Sequence, residues 1–126
     1  MKAAAIQLCS GFDRKANLKH CSELLTEAAA KGCKLALLPE NFSFMGSDEN
    51  KKLAMAEDPS NSEVLSFLSK QAKTHQMMIV GGTVPLNSSE KNRVRNSCPV
   101  FSPNGKLIAL YDKMHLFDAD PAREKH

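Results

Sequence analysis

Two side chains of opposite charge, each at the end of an apolar run, are the best candidates for chemistry in this sequence. Glu40 follows residues 35–38 and a proline that fixes the local backbone. Lys113 follows residues 107–112. A carboxylate can accept a proton from a nucleophile, and an ammonium group can stabilise an oxyanion. Taken one at a time, the residues also fit two solvated surface charges, with Lys113 paired to Asp112.

The chain before Glu40 has the pattern of a strand, a helix and a second strand. Residues 2–9 and 34–38 are short apolar runs, typical of buried parallel strands. Between them, Asp13 is a good helix N-cap, and Gly32 is a typical helix end. The apolar helix positions recur at steps of three and four: Leu18, Cys21, Leu25 and Ala28. This βαβ order predicts two parallel strands with a right-handed crossover, which would deliver Glu40 to a strand end.

A second helix and a third strand are predicted after Glu40. Ser60 and Glu63 match a capping box, in which each residue satisfies one free backbone N–H group. The buried face of the helix that follows consists of Leu65, Leu68 and Ala72. Residues 77–86 are the third strand, interrupted by Gly81 and Gly82. Paired glycines inside a strand indicate a bulge or a close approach of another backbone segment.

The chain from residue 92 to Lys113 is typical of a hairpin. Residues 92–101 and 106–111 are the predicted strands, and residues 102–105 contain the Asn-Gly pair of a tight turn. Basic residues alternate along the first of these strands: Lys91, Arg93 and Arg95. We interpret them as one solvated face in preference to a nucleic-acid contact. The whole pattern predicts an α/β fold.

Composition limits the classes of function. The chain has 126 residues, 42% of them hydrophobic and 25% charged, which is ordinary for one soluble domain. A net charge of +3, no tryptophan and a single tyrosine argue against a nucleic-acid partner. No apolar run is long enough for a membrane span, and no targeting peptide precedes the first strand, so we expect a cytoplasmic protein without a membrane partner.

The four cysteines do not form a recognisable metal or redox motif. They are Cys9, Cys21, Cys33 and Cys98, and no two have C-x-x-C spacing. Three of them fall in predicted strands or on the apolar side of the first helix. We therefore expect buried thiols in a reducing compartment, and no metal site.

Six short motifs occur in an order that resembles the nitrilase superfamily of carbon–nitrogen hydrolases. They run from Ala4 to Asp118 and read A-x-I-Q, L-L-P-E, G-G, N-S, P-N-G-K-L-I-A and Y-D-K-M-H-L-F-D. The resemblance implies the N-terminal portion of an αββα sandwich, a mixed sheet with two main helices on one face. It also implies a Glu-Lys-Cys triad. In that triad Glu40 would be the general base towards the cysteine, and Lys113 would stabilise the tetrahedral intermediate. The resemblance implies a small amide substrate, and neither a metal nor an organic cofactor.

The sequence departs from this family in lacking the nucleophile. The family's cysteine comes well after the lysine, and no cysteine follows Lys113 here. Cys98 is a poor substitute because it lies inside a hairpin strand, before a proline. We expect residues 1–126 to be one hydrolase domain truncated before the nucleophile strand, and the isolated chain to be inactive. We interpret His115 as a structural ring near the site.

Residues 39–46 look most like the branch that acts on deaminated glutathione and similar ω-amides. Another class of function stays open, a non-catalytic module that binds or self-associates through sheet surface left exposed. An RNA-binding surface is a weaker third possibility, because aromatic residues are scarce.

Overall fold

The fold is known from a computed structural model that describes residues 1–8, 11, 13–40, 42–43, 56–87 and 94–113, with Val94 and Lys113 described in their backbone. The elements are β1 (Lys2–Ala5), α1 (Arg14–Ala30), β2 (Cys33–Leu37), α2 (Glu63–His75), β3 (Met78–Val80), β4 (Val84–Asn87), β5 (Val94–Phe101) and β6 (Leu107–Lys113). The α/β class is confirmed. The described part does not include five residues named above, Cys9, Lys91, Arg93, His115 and Asp118, or residues 41, 44–46 and 92 of the ranges discussed.

The six strands form one mixed sheet. The first three strands are parallel, in the spatial order β1, β2, β3. β5 runs antiparallel to both β3 and β4, and β6 pairs with the other edge of β5. The predicted βαβ unit and hairpin are therefore both present. β1 is shorter than predicted because β2, its only partner among the described residues, ends at Leu37. The last bond between the two segments runs from Ile6 N to the carbonyl oxygen of Leu37, at 2.9 Å.

Both helices cover the same face of the sheet. One row of side chains runs under them through Ala36, Ile79 and Phe101, which are at most 3% exposed. The helices contribute Cys21, Leu25 and Leu68 to this core, each fully buried. The next row points to the opposite face and is partly open: Ala5, Leu37, Val80, Val100 and Ala109. The predicted arrangement of two helices on one face is thus confirmed.

The helix ends follow local hydrogen bonding, with one correction to the sequence interpretation. Asp13 caps α1 as predicted, its Oδ1 accepting from Ala16 N at 3.3 Å. The capping box on Ser60 is wrong. Ser62 caps α2, its Oγ accepting from Leu65 N at 3.0 Å, because Ser60 belongs to a separate 3₁₀ turn over Pro59–Asn61.

Glu57 supplies the carboxylate that the capping box assigned to another residue. Its Oε2 accepts from Glu63 N at 2.8 Å and from Arg14 Nη1 at 3.2 Å. Its Oε1 accepts from Ser62 Oγ at 2.7 Å and from Val64 N at 3.1 Å. A negative charge at a helix N-terminus is also favoured by the helix dipole. One side chain therefore ties the start of α1 to the start of α2.

Removing this carboxylate should cost substantial stability. We expect Glu57→Ala to lower the free energy of unfolding by about 3 kcal/mol, because backbone N–H groups of α2 and the Arg14 guanidinium lose their acceptor. Glu27→Ala is the matched control: its pair with Lys31 is exposed and should contribute less than about 0.5 kcal/mol. Urea denaturation measures both. Equal losses in the two variants would contradict the role given to Glu57.

Candidate active site

Glu40 lies three residues beyond the end of β2, next to the residue that precedes β4. Leu37 pairs with Val80 in the parallel β2–β3 ladder, and three residues later Glu40 pairs with Thr83 in an isolated bridge of the same direction. The register therefore continues unchanged from the strand into the corner. The Glu40 residue is exposed, while Thr83 beside it is only 4% exposed. The corner thus presents a carboxylate at the surface on a fixed backbone.

The glycine pair allows this corner to pack against the sheet. Gly82 has φ +60°, and a Cβ there would overlap the carbonyl oxygen of Pro39 and lie 2.7 Å from that of Leu38. A Cβ on Gly81 would lie 2.7 Å from Pro99 Cγ. Such distances are too short for any real side chain. The close backbone approach predicted from the sequence is confirmed, and its partner is the segment that carries Glu40.

A bulge occurs at the same place. Val80 of β3 is paired with Val100 of β5, whereas Val84 of β4 is paired with Ser97 of the same strand. Four residue steps on one side therefore match three on the other, which leaves one extra residue at the glycine pair. The extra residue lies between the end of β3 and the start of β4. A glycine pair can indicate a bulge or a close backbone approach, and both are present here.

Asn17 holds the chain that follows Glu40, and sequence reasoning missed it. Its Nδ2 donates to Ser43 O at 2.8 Å and to Gly11 O at 2.9 Å, and its Oδ1 accepts from Gly11 N at 3.0 Å. The residue is 6% exposed and lies on the buried face of α1, one turn before Cys21. The signal in the sequence was a polar residue four positions before Cys21, at the helical spacing of the apolar face. Asn17 joins the segments that follow β1 and β2.

Lys113 is the last residue of β6, so the strand extends two residues beyond its predicted end. In the sheet it is paired with Asn96 of β5. Three strand spacings separate the backbone of Glu40 from that of Lys113, about 14 Å across the sheet. The neighbouring Asp112 accepts from Arg95 Nη2 at 3.1 Å and from Ser97 Oγ at 2.5 Å. The catalytic roles of Glu40 and Lys113 stay predictions.

Two of the three described cysteines, Cys21 and Cys98, are placed as structural thiols. Cys98 lies within β5, opposite Tyr111, and partial burial raises the pKa of its thiol. Cys21 is completely buried, and burial raises the pKa of its thiol from 9.0 to about 12. Neither environment favours a reactive thiolate. In the part of the chain that the structure covers, no group of His, Cys, Asp and Glu side chains could hold a metal ion.

Burial of Cys21 should be visible in its labelling and in the pH dependence of stability. At pH 8 we expect iodoacetamide to modify Cys21 at least about a hundredfold more slowly in the native protein than in urea. Because the folded pKa is raised, the stability contributed by the neutral thiol is present below pH 9 and is lost between pH 9 and about 12. Cys21→Ala should remove that part of the alkaline loss, as followed by circular dichroism. Labelling of Cys21 as fast in the native protein as in urea would contradict its burial.

No helix among the described residues is long and apolar enough to cross a membrane.

Comparisons with known proteins agree with the architecture. Residues 2–126 match the family model described as carbon-nitrogen hydrolase. The chain is 35% identical over 119 residues to a deaminated glutathione amidase of Synechocystis, covering 94% of this chain and 43% of that protein. It is 34% identical over 125 residues to the omega-amidase NIT3 of Saccharomyces cerevisiae, covering 95% of this chain and 43% of the relative.

A solved structure shows the same fold. The crystal structure of Saccharomyces cerevisiae Nit3, described as a member of branch 10 of the nitrilase superfamily, superposes with a TM-score of 0.76 at 28% identity. The alignment covers 89% of this chain and 43% of that one. The chain therefore spans about two fifths of the length of the proteins it matches.

Proposed function

Because this chain belongs to the carbon–nitrogen hydrolase family, we propose that it supplies two catalytic groups of an amidase that converts a small non-peptide amide to an acid and ammonia. Glu40 is the general base and Lys113 stabilises the oxyanion. The observation that carries the proposal is the corner at Glu40, held by the pairing with Thr83 and by the contact of Gly82 with Pro39. A surface glutamate without a function would not need such a fixed backbone.

The proposed reaction uses the family's thioester chemistry. Glu40 takes the proton from a cysteine thiol, and the thiolate attacks the amide carbon. The carbonyl oxygen becomes an oxyanion, which the ammonium group of Lys113 stabilises. The C–N bond then breaks, and the nitrogen leaves as ammonia with the proton that Glu40 returns. Water, deprotonated by Glu40, attacks the thioester and releases the acid and the thiol.

The nucleophile in this proposal comes from outside residues 1–126. Among the described cysteines, Cys21 is buried in the core and Cys98 lies inside a strand. The relatives are more than twice as long as the matched segment. The free thiols at Cys21, Cys33 and Cys98 also support a reducing compartment, and we propose the cytoplasm.

The proposed substrates are small ω-amides. Two relatives are named for such activities, a deaminated glutathione amidase and an omega-amidase. These compounds carry a terminal carboxamide, the group that a thiolate can attack with loss of ammonia. The sequence at residues 39–46 supports the same branch.

The 126-residue chain alone should not release ammonia from ω-amides. The expected rate equals that of the buffer, with or without prior alkylation of the thiols. Cys21 is buried, Cys98 lies inside a strand, and Cys33 begins β2, at the end of that strand away from Glu40. An enzyme-coupled ammonia assay on succinamate and glutaramate measures it. Turnover that alkylation abolishes would show that the nucleophile lies within the chain and would overturn the proposal.

The second candidate function is self-association through the sheet face opposite the helices. Leu37 and Tyr111 are on this face, 44% and 64% exposed. Their neighbours Val80, Val100 and Ala109 are also apolar and partly open. A second copy of the chain could cover such a face, since exposed apolar sheet surface favours association. Light scattering over a range of concentrations tests it, and a monomer at high concentration would contradict it.

A further inference from the structure

Ser97 is a polar residue at a fully buried position of the sheet. It lies in β5, where it is paired with Val84 on one side and with Asp112 on the other. Val84 is apolar and also fully buried. A hydroxyl group in such surroundings is costly unless it finds a hydrogen-bond partner. The partner of Ser97 therefore shows why a polar residue is present here.

The carboxylate of Asp112 is that partner. Ser97 Oγ donates to Asp112 Oδ1 at 2.5 Å, and Arg95 Nη2 donates to the same oxygen at 3.1 Å. A hydrogen bond from a hydroxyl group to a carboxylate is roughly twice as strong as one between neutral groups. The ion pair with Arg95 is weaker, because its side chains are 34% and 44% exposed and water screens them. The buried hydroxyl is thus the main attachment of Asp112.

This attachment lies at the open end of an edge strand. Among the described residues β6 has β5 as its only partner strand, and Ser97–Asp112 and Asn96–Lys113 are the last two pairs of their ladder. The end of such a strand opens more readily than its middle. Consecutive Cα atoms are about 3.8 Å apart, so opening at Asp112 also displaces the backbone of Lys113.

We propose that Asp112 is a positioning residue, whose bonds to Ser97 and Arg95 hold the end of β6 on the sheet and so fix the backbone from which Lys113 acts. The functional part of this inference rests on the proposed role of Lys113 in the reaction. The attachment uses the side chain of the preceding residue, so it requires no contact with the amine whose charge the oxyanion needs. An enzyme in which this strand end is open for part of the time loses turnover in proportion.

Hydrogen exchange in the 126-residue chain tests the attachment. Ser97→Thr and Ser97→Val introduce side chains of the same branched shape, and only threonine keeps the hydroxyl group. We expect the backbone amides of residues 111–113 to exchange about tenfold faster in Ser97→Val than in Ser97→Thr, as measured by NMR. The amides of residues 107–109, at the other end of the same strand, are the internal control and should differ by less than about twofold. Equal exchange at residues 111–113 in the two variants would overturn the inference.

Asp112→Ala covers the case in which position 97 accepts no branched side chain. This substitution removes a side chain that is 44% exposed, so the core keeps its packing. It should speed exchange at residues 111–113 by about tenfold relative to the unsubstituted chain, because both bonds are lost. Unchanged exchange would show that the strand end is held without Asp112 and would contradict the inference.

Turnover in a complete enzyme tests the positioning role. When residues 1–113 are joined to the later part of the yeast omega-amidase, Ser97→Val should have about tenfold lower kcat than Ser97→Thr, with KM within about twofold. Ser69→Ala is the control for lost stability, since Ser69 Oγ donates to Gly105 O at 2.6 Å at the other end of the hairpin. It should leave kcat within about twofold. Equal kcat in the two position-97 variants, or a tenfold loss in Ser69→Ala, would overturn the positioning role.

These outcomes are distinct from failure of the proposed function. Hydrogen exchange needs no amidase turnover, so a negative result there leaves the proposed reaction standing. Full turnover by Lys113→Met would count against the proposed function, whereas the attachment of Asp112 would still be measured by exchange.

Discussion

Replacing Gly82 with alanine is expected to unfold the chain or to lower its free energy of unfolding by at least about 4 kcal/mol. Alanine at φ +60° costs on the order of 1–2 kcal/mol in backbone strain alone. The larger part comes from overlap of the new methyl group with the Pro39 carbonyl. Since backbone is on both sides of this contact, no side-chain rotation can relieve it.

Gly11→Ala is the matched control for this substitution. A Cβ on Gly11 would have no neighbour within 4 Å among the described residues, and its backbone is outside the left-handed region. We expect the free energy of unfolding of Gly11→Ala to change by less than about 0.5 kcal/mol, in either direction. Thermal and urea unfolding of both variants give the comparison. A Gly82→Ala protein as stable as Gly11→Ala would show that the corner at Glu40 can move away from the sheet at little cost.

Glu40→Gln and Lys113→Met should each lower kcat/KM for an ω-amide by about 10³-fold in a complete enzyme. The first substitution removes the carboxylate proposed as the base but keeps the size of the side chain. The second removes the positive charge that would stabilise the oxyanion. A suitable enzyme joins residues 1–113 of this chain to the part of the yeast omega-amidase that follows the matching strand.

Two charge changes of the same type are the controls in that enzyme. Glu23 and Lys106 are exposed and distant from the corner, so Glu23→Gln and Lys106→Met should leave kcat/KM within about twofold. The unsubstituted chimera sets the reference rate of ammonia release. Full turnover by Glu40→Gln would remove the carboxylate from the mechanism, and full turnover by Lys113→Met would do the same for the lysine.

The parts of the fold that depend on local sequence were predictable. The spacing of apolar residues identified α1, and Asp13 and Gly32 marked its ends. The Asn-Gly pair at 104–105 located the hairpin, with Gly105 at φ +86°. In each case the signal and the structure lie within a few residues of one another, so no knowledge of the tertiary fold was needed.

The contacts that organise the site join residues distant in sequence, and these were not predictable. Glu57 replaces the expected capping residue because β4 holds its backbone, with Asn87 N donating to Glu57 O at 2.8 Å. Gly82 was recognised as a point of close approach, but the sequence did not show that Pro39 is its partner. Such contacts require the strand order, which local patterns do not contain.

The anchoring of Ser43 by Asn17 and of Glu57 by β4 has a consequence for protein engineering. Both ends of the intervening stretch are held by bonds that do not involve that stretch. The position of the chain just after Glu40 therefore depends on α1. A substitution at Asn17 would release Ser43 while leaving the sequence of the Glu40 corner unchanged. For an engineer, the first helix is thus the place from which this segment can be moved.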